Sequence, residues 1–267
     1  MKTADELKQI VKEKYGEIAS KNDQQCCCGS KNDLSEFYSV MADDYTKMEG
    51  YNADADLKLG CGLPTEYAMI KPGDTVVDLG SGAGNDCFVA RSITGSDGKV
   101  IGLDMTENMI EKARTNAEKL GFDNVKFILG DIESMPLADQ MADVVVSNCV
   151  MNLVPDKTKA FAETYRILKP GGHFSISDIV LRGDLPTELQ QDAAMYAGCV
   201  SGALPQIDYL QNIENAGFIN IKMQKEKPIS LPEEVWLRYL KKEEIANYKS
   251  KHLGIYSITV YAEKQDV

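Results

Sequence analysis

Apolar residues recur at helical spacing over residues 1–20, with Leu7, Ile10, Val11 and Ile18 roughly on one face. A polar, glycine-containing stretch at 22–33 reads as loop. Phe37-Tyr38-Ser39 and Asp43-Asp44-Tyr45 follow in a helical segment. Their aromatics either pack an N-terminal extension onto a core, the commoner role, or lie over a nearby ligand. From residue 74 short apolar runs alternate with amphipathic segments. Thr75–Leu79, Lys99–Asp104, Val125–Leu129, Asp143–Ser147 and His173–Asp178 read as strands, and Asn85–Ile93, Glu107–Leu120 and Lys157–Leu168 as helices. Thr106 stands as the N-cap of the second helix and Gly121 as its stop. Such alternation predicts a doubly wound parallel α/β sheet with helices on both faces.

Beyond residue 180 the pattern changes to α+β. Leu185–Ala197 and Gln206–Ala216 read as helices, the second ended by Gly217. Ile219–Lys225 and Ile255–Ala262 alternate like strands and should pair antiparallel at the sheet edge. Pro232–Lys251, rich in Glu and Lys, reads as a solvated helix anchored by Trp236. Three regions follow: an extension with helix and cysteine-bearing loops (1–70), an α/β core (71–180), and a C-terminal region completing the sheet (181–267).

A net charge of −12 and a pI near 4.7 argue against nucleic-acid or anionic-membrane partners. No stretch approaches the ~20 apolar residues of a membrane span. Residues 1–19 are charged and lack the apolar core of a signal peptide, which predicts a cytoplasmic location. Seven cysteines (Cys26, Cys27, Cys28, Cys61, Cys87, Cys149 and Cys199) are many for a reducing compartment, and give weight to metal, metalloid or redox chemistry. The competing role for each one is that of a small buried hydrophobe.

The first strand ends in Asp78-Leu79-Gly80-Ser81-Gly82-Ala83-Gly84. Its third glycine comes one place too early for the dinucleotide fingerprint, and no Lys-Ser/Thr pair marks a phosphate loop. Acidic-x-Gly-x-Gly-x-Gly resembles motif I of the class I S-adenosylmethionine methyltransferases, and so implies a Rossmann-like core binding that cofactor. Ligands of such sheets lie beyond the carboxyl ends of the strands. Asp78, Gly80, Ser81 and Gly82 are candidates there. Asp104, closing strand two with Met105 behind it, is placed to take the ribose hydroxyls; the alternative is a carboxylate facing a helix dipole. After strand three, Asp131 and Glu133 are candidates for an adenine amino group and Ile132 for its ring, against a plain acidic loop. After strand four, Asn148 borders the reactive end.

The acceptor side offers thiols. Cys149 follows strand four, Cys61 lies between glycines on what reads as exposed, flexible backbone, and Cys199 follows Gly198. Thiolates suit a soft, thiophilic centre, and three from separate loops can hold a trivalent one in a pyramid. Gly60-Cys61-Gly62, Gly102-Leu103-Asp104-Met105-Thr106, Ser147-Asn148-Cys149-Val150-Met151-Asn152-Leu153, Leu168-Lys169-Pro170-Gly171-Gly172, Ser177-Asp178-Ile179, Gly198-Cys199-Val200-Ser201-Gly202-Ala203 and Ser257-Ile258-Thr259-Val260 join the motif I residues and Asp86-Cys87. Together they resemble the arsenite S-adenosylmethionine methyltransferases over most of the chain.

The resemblance implies that Cys61, Cys149 and Cys199 bind As(III), arriving as arsenite or its thiol conjugate. The arsenic lone pair would then attack the sulfonium methyl in line, without a general base. Cys26, Cys27 and Cys28 fall where the family carries a cysteine that exchanges disulfides, with thioredoxin or glutathione as reductant. His173 reads as structural. Two rivals remain: a quinone or sterol C-methyltransferase with incidental cysteines, and a non-catalytic zinc–thiolate protein, which the absence of CxxC spacing disfavours.

Overall fold

Runs such as Thr75-Val76-Val77-Asp78-Leu79 and Ala142-Asp143-Val144-Val145-Val146 are rich in β-branched residues. They form strands because both faces of the sheet they enter are covered. In the computed structural model, residues 2–20, 41–183, 187, 199–200, 202–230, 233–251 and 254–266 are described. Cys26–Cys28, Phe37-Tyr38-Ser39, His252 and the expected helix Leu185–Ala197, save residue 187, lie outside them. The described elements run α1 (Ala4–Ser20), α2 (Pro64–Tyr67), β1 (Thr75–Leu79), α3 (Asn85–Thr94), β2 (Lys99–Asp104), α4 (Glu107–Leu120), β3 (Val125–Leu129) and β4 (Ala142–Asn148). After a 3-10 turn (Met151–Leu153) come α5 (Lys157–Ile167), β5 (Leu168–Arg182), α6 (Gln206–Asn215), β6 (Ile219–Ile229), α7 (Glu233–Trp236), α8 (Lys242–Ser250) and β7 (Gly254–Glu263).

The seven strands form one sheet in the order β3-β2-β1-β4-β5-β7-β6. The first five are parallel; β7 runs antiparallel to β5, and β6 antiparallel to β7. Period-two alternation divides the side chains between two cores. Val77, Leu79, Val145 and Ile176 meet Phe161 of α5 and Tyr209 of α6 on one face. Val76, Val100, Val144 and Val146 meet Phe88 of α3 and Ile110 of α4 on the other. Full burial of each such side chain contributes about 1.5–3 kcal/mol. A further cluster gathers Val11 of α1, Ile179 and Leu181 of β5, Ile229, Trp236 and Ile255 around three cysteines.

Three expectations need correction. Strand five is not confined to His173–Asp178 but spans 15 residues. Lys169-Pro170-Gly171-Gly172 looks locally like a turn. A register shift between Ala142 and Val144 accommodates it, and Lys264 N–H donates to Gly172 O (2.8 Å). At the far end Ile179-Val180-Leu181 pair with Ile255–Ser257, so tertiary pairing overrides local sequence. Thr106 occupies the N-cap of α4 but makes no side-chain cap; its N–H donates instead to Asp104 Oδ1 (2.8 Å). The described part of Pro232–Lys251 is not one helix: α7 and α8 are separate, and Trp236, the last residue of α7, is buried. Among the described residues no helix is long and apolar enough to cross a membrane.

Candidate active site

Strand order reverses between β1 and β4, and the cleft opens where the carboxyl ends of β1, β2 and β4 diverge. It encloses about 1050 Å³, counted out to its mouth. Gly80, Ser81, Gly82, Asp104, Met105, Asp131, Ile132, Asp78, Asn148 and Cys149 all line it. Gly80 sits at φ +71°, and a Cβ there would meet Val150 Cγ2 at 2.4 Å, so the turn requires glycine on both counts. Gly80 and Ser81 N–H donate to Leu103 O at 2.7 and 3.0 Å, fastening the turn to β2. Asp104 accepts the N–H of Gly82 on Oδ2 (3.0 Å) and of Thr106 on Oδ1 (2.8 Å). Burial raises its pKa, and those backbone donors oppose the rise.

Asp131 and Glu133 divide. Lys8 of α1 donates to Asp131 Oδ2 (2.6 Å) and to Glu133, so the N-terminal helix is pinned over the third strand's exit. Those hydrogen bonds hold the Asp131 carboxyl below its ordinary range against the desolvation that would raise it. Glu133 also accepts the Asp156 N–H (2.7 Å) and does not line the cleft. Asp131 and Ile132 thus face the cleft, while Glu133 lies beside it and accepts from the chain's own donors. Lys8, which the sequence did not single out, does line the cleft.

Asp78 is 1 % exposed and accepts from the Cys87 thiol (3.3 Å). Burial and the neighbouring Asp86 push its carboxyl well above the ordinary range. Asp86 opens α3 and accepts from Tyr45 Oη (2.8 Å to each oxygen), Thr65 Oγ1 (3.3 Å) and Asn148 Nδ2 (3.3 Å). Burial raises it to about 6 against those donors. Asn148 continues the network: Nδ2 also donates to Tyr45 Oη (2.6 Å) and Gly62 O (2.8 Å), while Oδ1 accepts the N–H of Cys61 (3.0 Å) and Gly62 (3.3 Å). From sequence Tyr45 has either a packing role or a place over a ligand, and Asp86 only a place in the motif match; the structure buries Tyr45 and sets both at the cleft. Their signals were present, an aromatic ahead of the core and an acid two places after the glycine turn.

Cys61, Cys149 and Cys199 share one apolar cluster with Met41, Leu153, Ile179, Val200 and Trp236. All are free thiols, 0–2 % exposed, so the expectation of an exposed Cys61 is wrong. Its glycine neighbours serve close packing instead: a Cβ on Gly60 would meet Asn148 Nδ2 at 2.5 Å, and one on Gly62 would meet Ser177 Oγ at 2.5 Å. Ser257 Oγ donates to Cys61 O (2.5 Å). Cys149 and Cys199 adopt left-handed backbone, φ 62° and 66°. Cys149 N–H donates to Ser177 O (2.7 Å), and the Cys199 thiol to Cys149 O (2.9 Å). Contacts from the Cys199 and Cys61 thiols, then burial, raise the Cys149 pKa well above 9.0; burial raises Cys61. Of the three, only Cys149 lines the cleft. Among the described residues no trio of His, Cys, Asp or Glu has a metal-holding arrangement, so the thiols adjoin without forming a pyramid.

Behind them lies a polar group the sequence left unassigned. Asp178, fully buried, accepts from Asn152 Nδ2 (2.7 Å), Ile179 N–H (2.9 Å) and Tyr209 Oη (3.2 Å). Burial raises it to about 7, with Ile179 N–H and the Lys157 ammonium opposing the rise. His173 Nε2 meets Ala68 O (2.7 Å) at the base of the sheet, consistent with a structural place.

A methyltransferase-domain family model matches residues 70–228. An arsenite methyltransferase of Halobacterium salinarum is 44% identical over 226 residues, 80% of this chain and 58% of that protein. A demethylmenaquinone methyltransferase of Lactococcus lactis is 32% identical over 143 residues, covering 52% of this chain and 55% of the relative. In the crystal structure of an arsenic(III) S-adenosylmethionine methyltransferase from Chlamydomonas reinhardtii, the match has a TM-score of 0.65 and 33% identity, over 78% of this chain and 70% of that one. The chain spans about half the length of the curated arsenite methyltransferases it matches.

Proposed function

Since the chain belongs to the arsenite S-adenosylmethionine methyltransferase family, we propose that it methylates arsenic(III) held by Cys61, Cys149 and Cys199. The observation that carries this reading is the gathering of three free thiols, from three separate parts of the chain, in one apolar cluster whose central member lines the cleft. Soft sulfur ligands suit a trivalent thiophile. The surrounding aliphatic and indole side chains keep water from the bonds that hold it.

The cleft's donor set fits S-adenosylmethionine. Asp78 is a buried carboxylate that accepts from the weakly donating Cys87 thiol, a group that a cationic ligand would complete. Asp104, fixed by two backbone donors, keeps acceptor capacity for ribose hydroxyls. In this reading Gly80, Ser81, Gly82 and Met105 complete the cofactor's bed, with Asp131 and Ile132 at the base and Asn148 at the reactive end. When bound, the cofactor supplies a methyl group already activated on a sulfonium, so alignment rather than proton transfer limits the reaction.

The protein's own part is to hold the arsenic lone pair toward the cleft from behind. Cys149 bridges thiol cluster and cleft; Cys61 and Cys199 fix the remaining valences. Each thiol proton leaves on the hydroxide or thiolate that its sulfur displaces from arsenic. If turnover oxidises the cysteines, Cys26–Cys28 and a thioredoxin or glutathione system would restore them, in keeping with a cytoplasmic location. The test is arsenic speciation after incubating the protein with arsenite, S-adenosylmethionine and a thiol reductant. Methylated arsenic from the wild type, and none from Cys149→Ser or Cys199→Ser variants that still bind cofactor, is expected. Turnover in either variant would overturn the three-thiol assignment; methylation of a quinone in place of arsenic would overturn the acceptor.

A further inference from the structure

Asn148 joins the cleft to the loop that carries Cys61. It precedes Cys149, lines the cleft, and spends its Oδ1 on the backbone of the Gly60–Gly62 loop, at 3.0 Å from Cys61 N and 3.3 Å from Gly62 N. An amide in this place is usable in only one orientation. Its Nδ2 must face acceptors, and it does: Gly62 O (2.8 Å), Tyr45 Oη (2.6 Å) and Asp86 Oδ2 (3.3 Å). Tyr45 Oη accepts from Asn148, and its own hydroxyl hydrogen has two acceptors in reach, Asp86 (2.8 Å to each oxygen) and Gly62 O (3.2 Å). The Cys61 and Gly62 N–H groups and Gly62 O set which way the amide faces, and Asp86, which accepts from Tyr45, Thr65 and Asn148, holds amide and phenol in that arrangement.

We propose that Asp86 is a positioning residue for the arsenic-binding thiol Cys61, acting through Tyr45 and Asn148 rather than by touching arsenic. This rests on the arsenite reading above. The bland alternative is a carboxylate in the first turn of α3 facing that helix's N-terminus. Against it, both oxygens are turned to Tyr45, Thr65 and Asn148, all from other parts of the chain. The loop leaves little slack. A Cβ on Gly60 would overlap Asn148, and one on Gly62 would overlap Ser177, so the loop lies between the amide and β5. If the amide turns over, its NH2 faces the N–H groups of Cys61 and Gly62, and the loop must move away.

Asp86→Asn is nearly isosteric but puts an NH2 where an acceptor stood, which sets a donor against the donors of Tyr45, Thr65 and Asn148 and removes one anchor of the Asn148 amide. Arsenite binding is measured by equilibrium dialysis with arsenic quantified by mass spectrometry, under reducing conditions and without cofactor. Affinity in Asp86→Asn should fall about tenfold, the scale of one buried donor left unpaired. The decisive comparison is a double-mutant cycle with Cys61→Ser. Once Cys61 no longer binds arsenic, adding Asp86→Asn should change the residual affinity by less than twofold. A full further loss in that background would mean a general structural role and overturn the proposal, as would unchanged arsenite affinity in Asp86→Asn alone. Absence of arsenite binding in the wild-type protein would instead sink the arsenite reading itself, so the two failures are distinguishable.

Discussion

Asp178→Asn isolates a buried charge that the fold tolerates at a cost. Asp178 of β5 is fully buried, with Tyr209 of α6 among its donors, and its carboxyl is raised from the ordinary 3.8 to about 7, first of all by burial. A carboxyl raised on folding binds its proton more tightly in the native state. Its contribution is therefore complete below the unfolded value and is lost as pH climbs through the folded one. The interval from 3.8 to about 7 corresponds to about 4 kcal/mol, an upper figure because burial and the Lys157 ammonium act together. Asparagine keeps an oxygen for Asn152 Nδ2 and Ile179 N–H and has no charge to bury, and Tyr209 can rotate its hydroxyl to accept. The variant should be less stable than the wild type, or equal to it, near pH 4–5, and should gain on it steadily toward pH 7–8. Urea unfolding at closely spaced pH values, with constant m-values, measures the difference. A wild-type-minus-variant difference that is flat from pH 4 to 8 would refute the reasoning, since no proton would then be linked to folding at this site.

Two further outcomes follow from the same geometry. Asp104→Ala removes the acceptor of the Gly82 and Thr106 N–H groups, and should weaken S-adenosylmethionine binding at least tenfold by calorimetry while the protein still folds; unchanged affinity would take Asp104 out of the site. Gly62→Ala sets a methyl group 2.5 Å from Ser177 Oγ and 2.7 Å from its Cβ, which should cost about 1–3 kcal/mol and open Cys61 to alkylation, with equal alkylation rates in both proteins counting against it.

The sheet was legible because its signals are local and agree with one another. Val76, Val77 and Leu79 announce a strand, Gly80 to Gly84 a turn, and Met109, Ile110 and Ala113 a helix, so the parallel core follows from period and punctuation. What escaped is decided by partners distant in sequence. Lys169-Pro170-Gly171-Gly172 continues a strand because Lys264 pairs with it, 92 positions after Gly172. Glu133 leaves the cleft because Lys8 and Asp156 claim its oxygens. Tyr45 and Asp86 acquire meaning through each other and through Asn148, 103 positions after Tyr45. None of these pairings leaves a mark on the spacing of residues along the chain.

Cys61 shows how the same cue can carry the opposite meaning. Glycine on either side of a residue suggests a mobile, solvated loop, and where no partner approaches it is one. Here the missing side chains let Asn148 and Ser177 come within a distance no Cβ would allow, and the thiol between them is sealed from solvent. Burial then shapes the chemistry. It keeps Cys61 and Cys149 protonated, and it leaves Cys149 as the cluster's contact with the cleft. Cys149 and Cys199 are held in left-handed backbone, a conformation that costs roughly 1–2 kcal/mol per non-glycine residue. Two of its restraints are the Cys149 N–H bond to Ser177 O and the Cys199 thiol bond to Cys149 O. The second of these needs the Cys199 proton. On the proposed reading, a Cys199 sulfur that gives up its proton to bind arsenic also releases the Cys149 carbonyl, so capture there removes one of these two restraints.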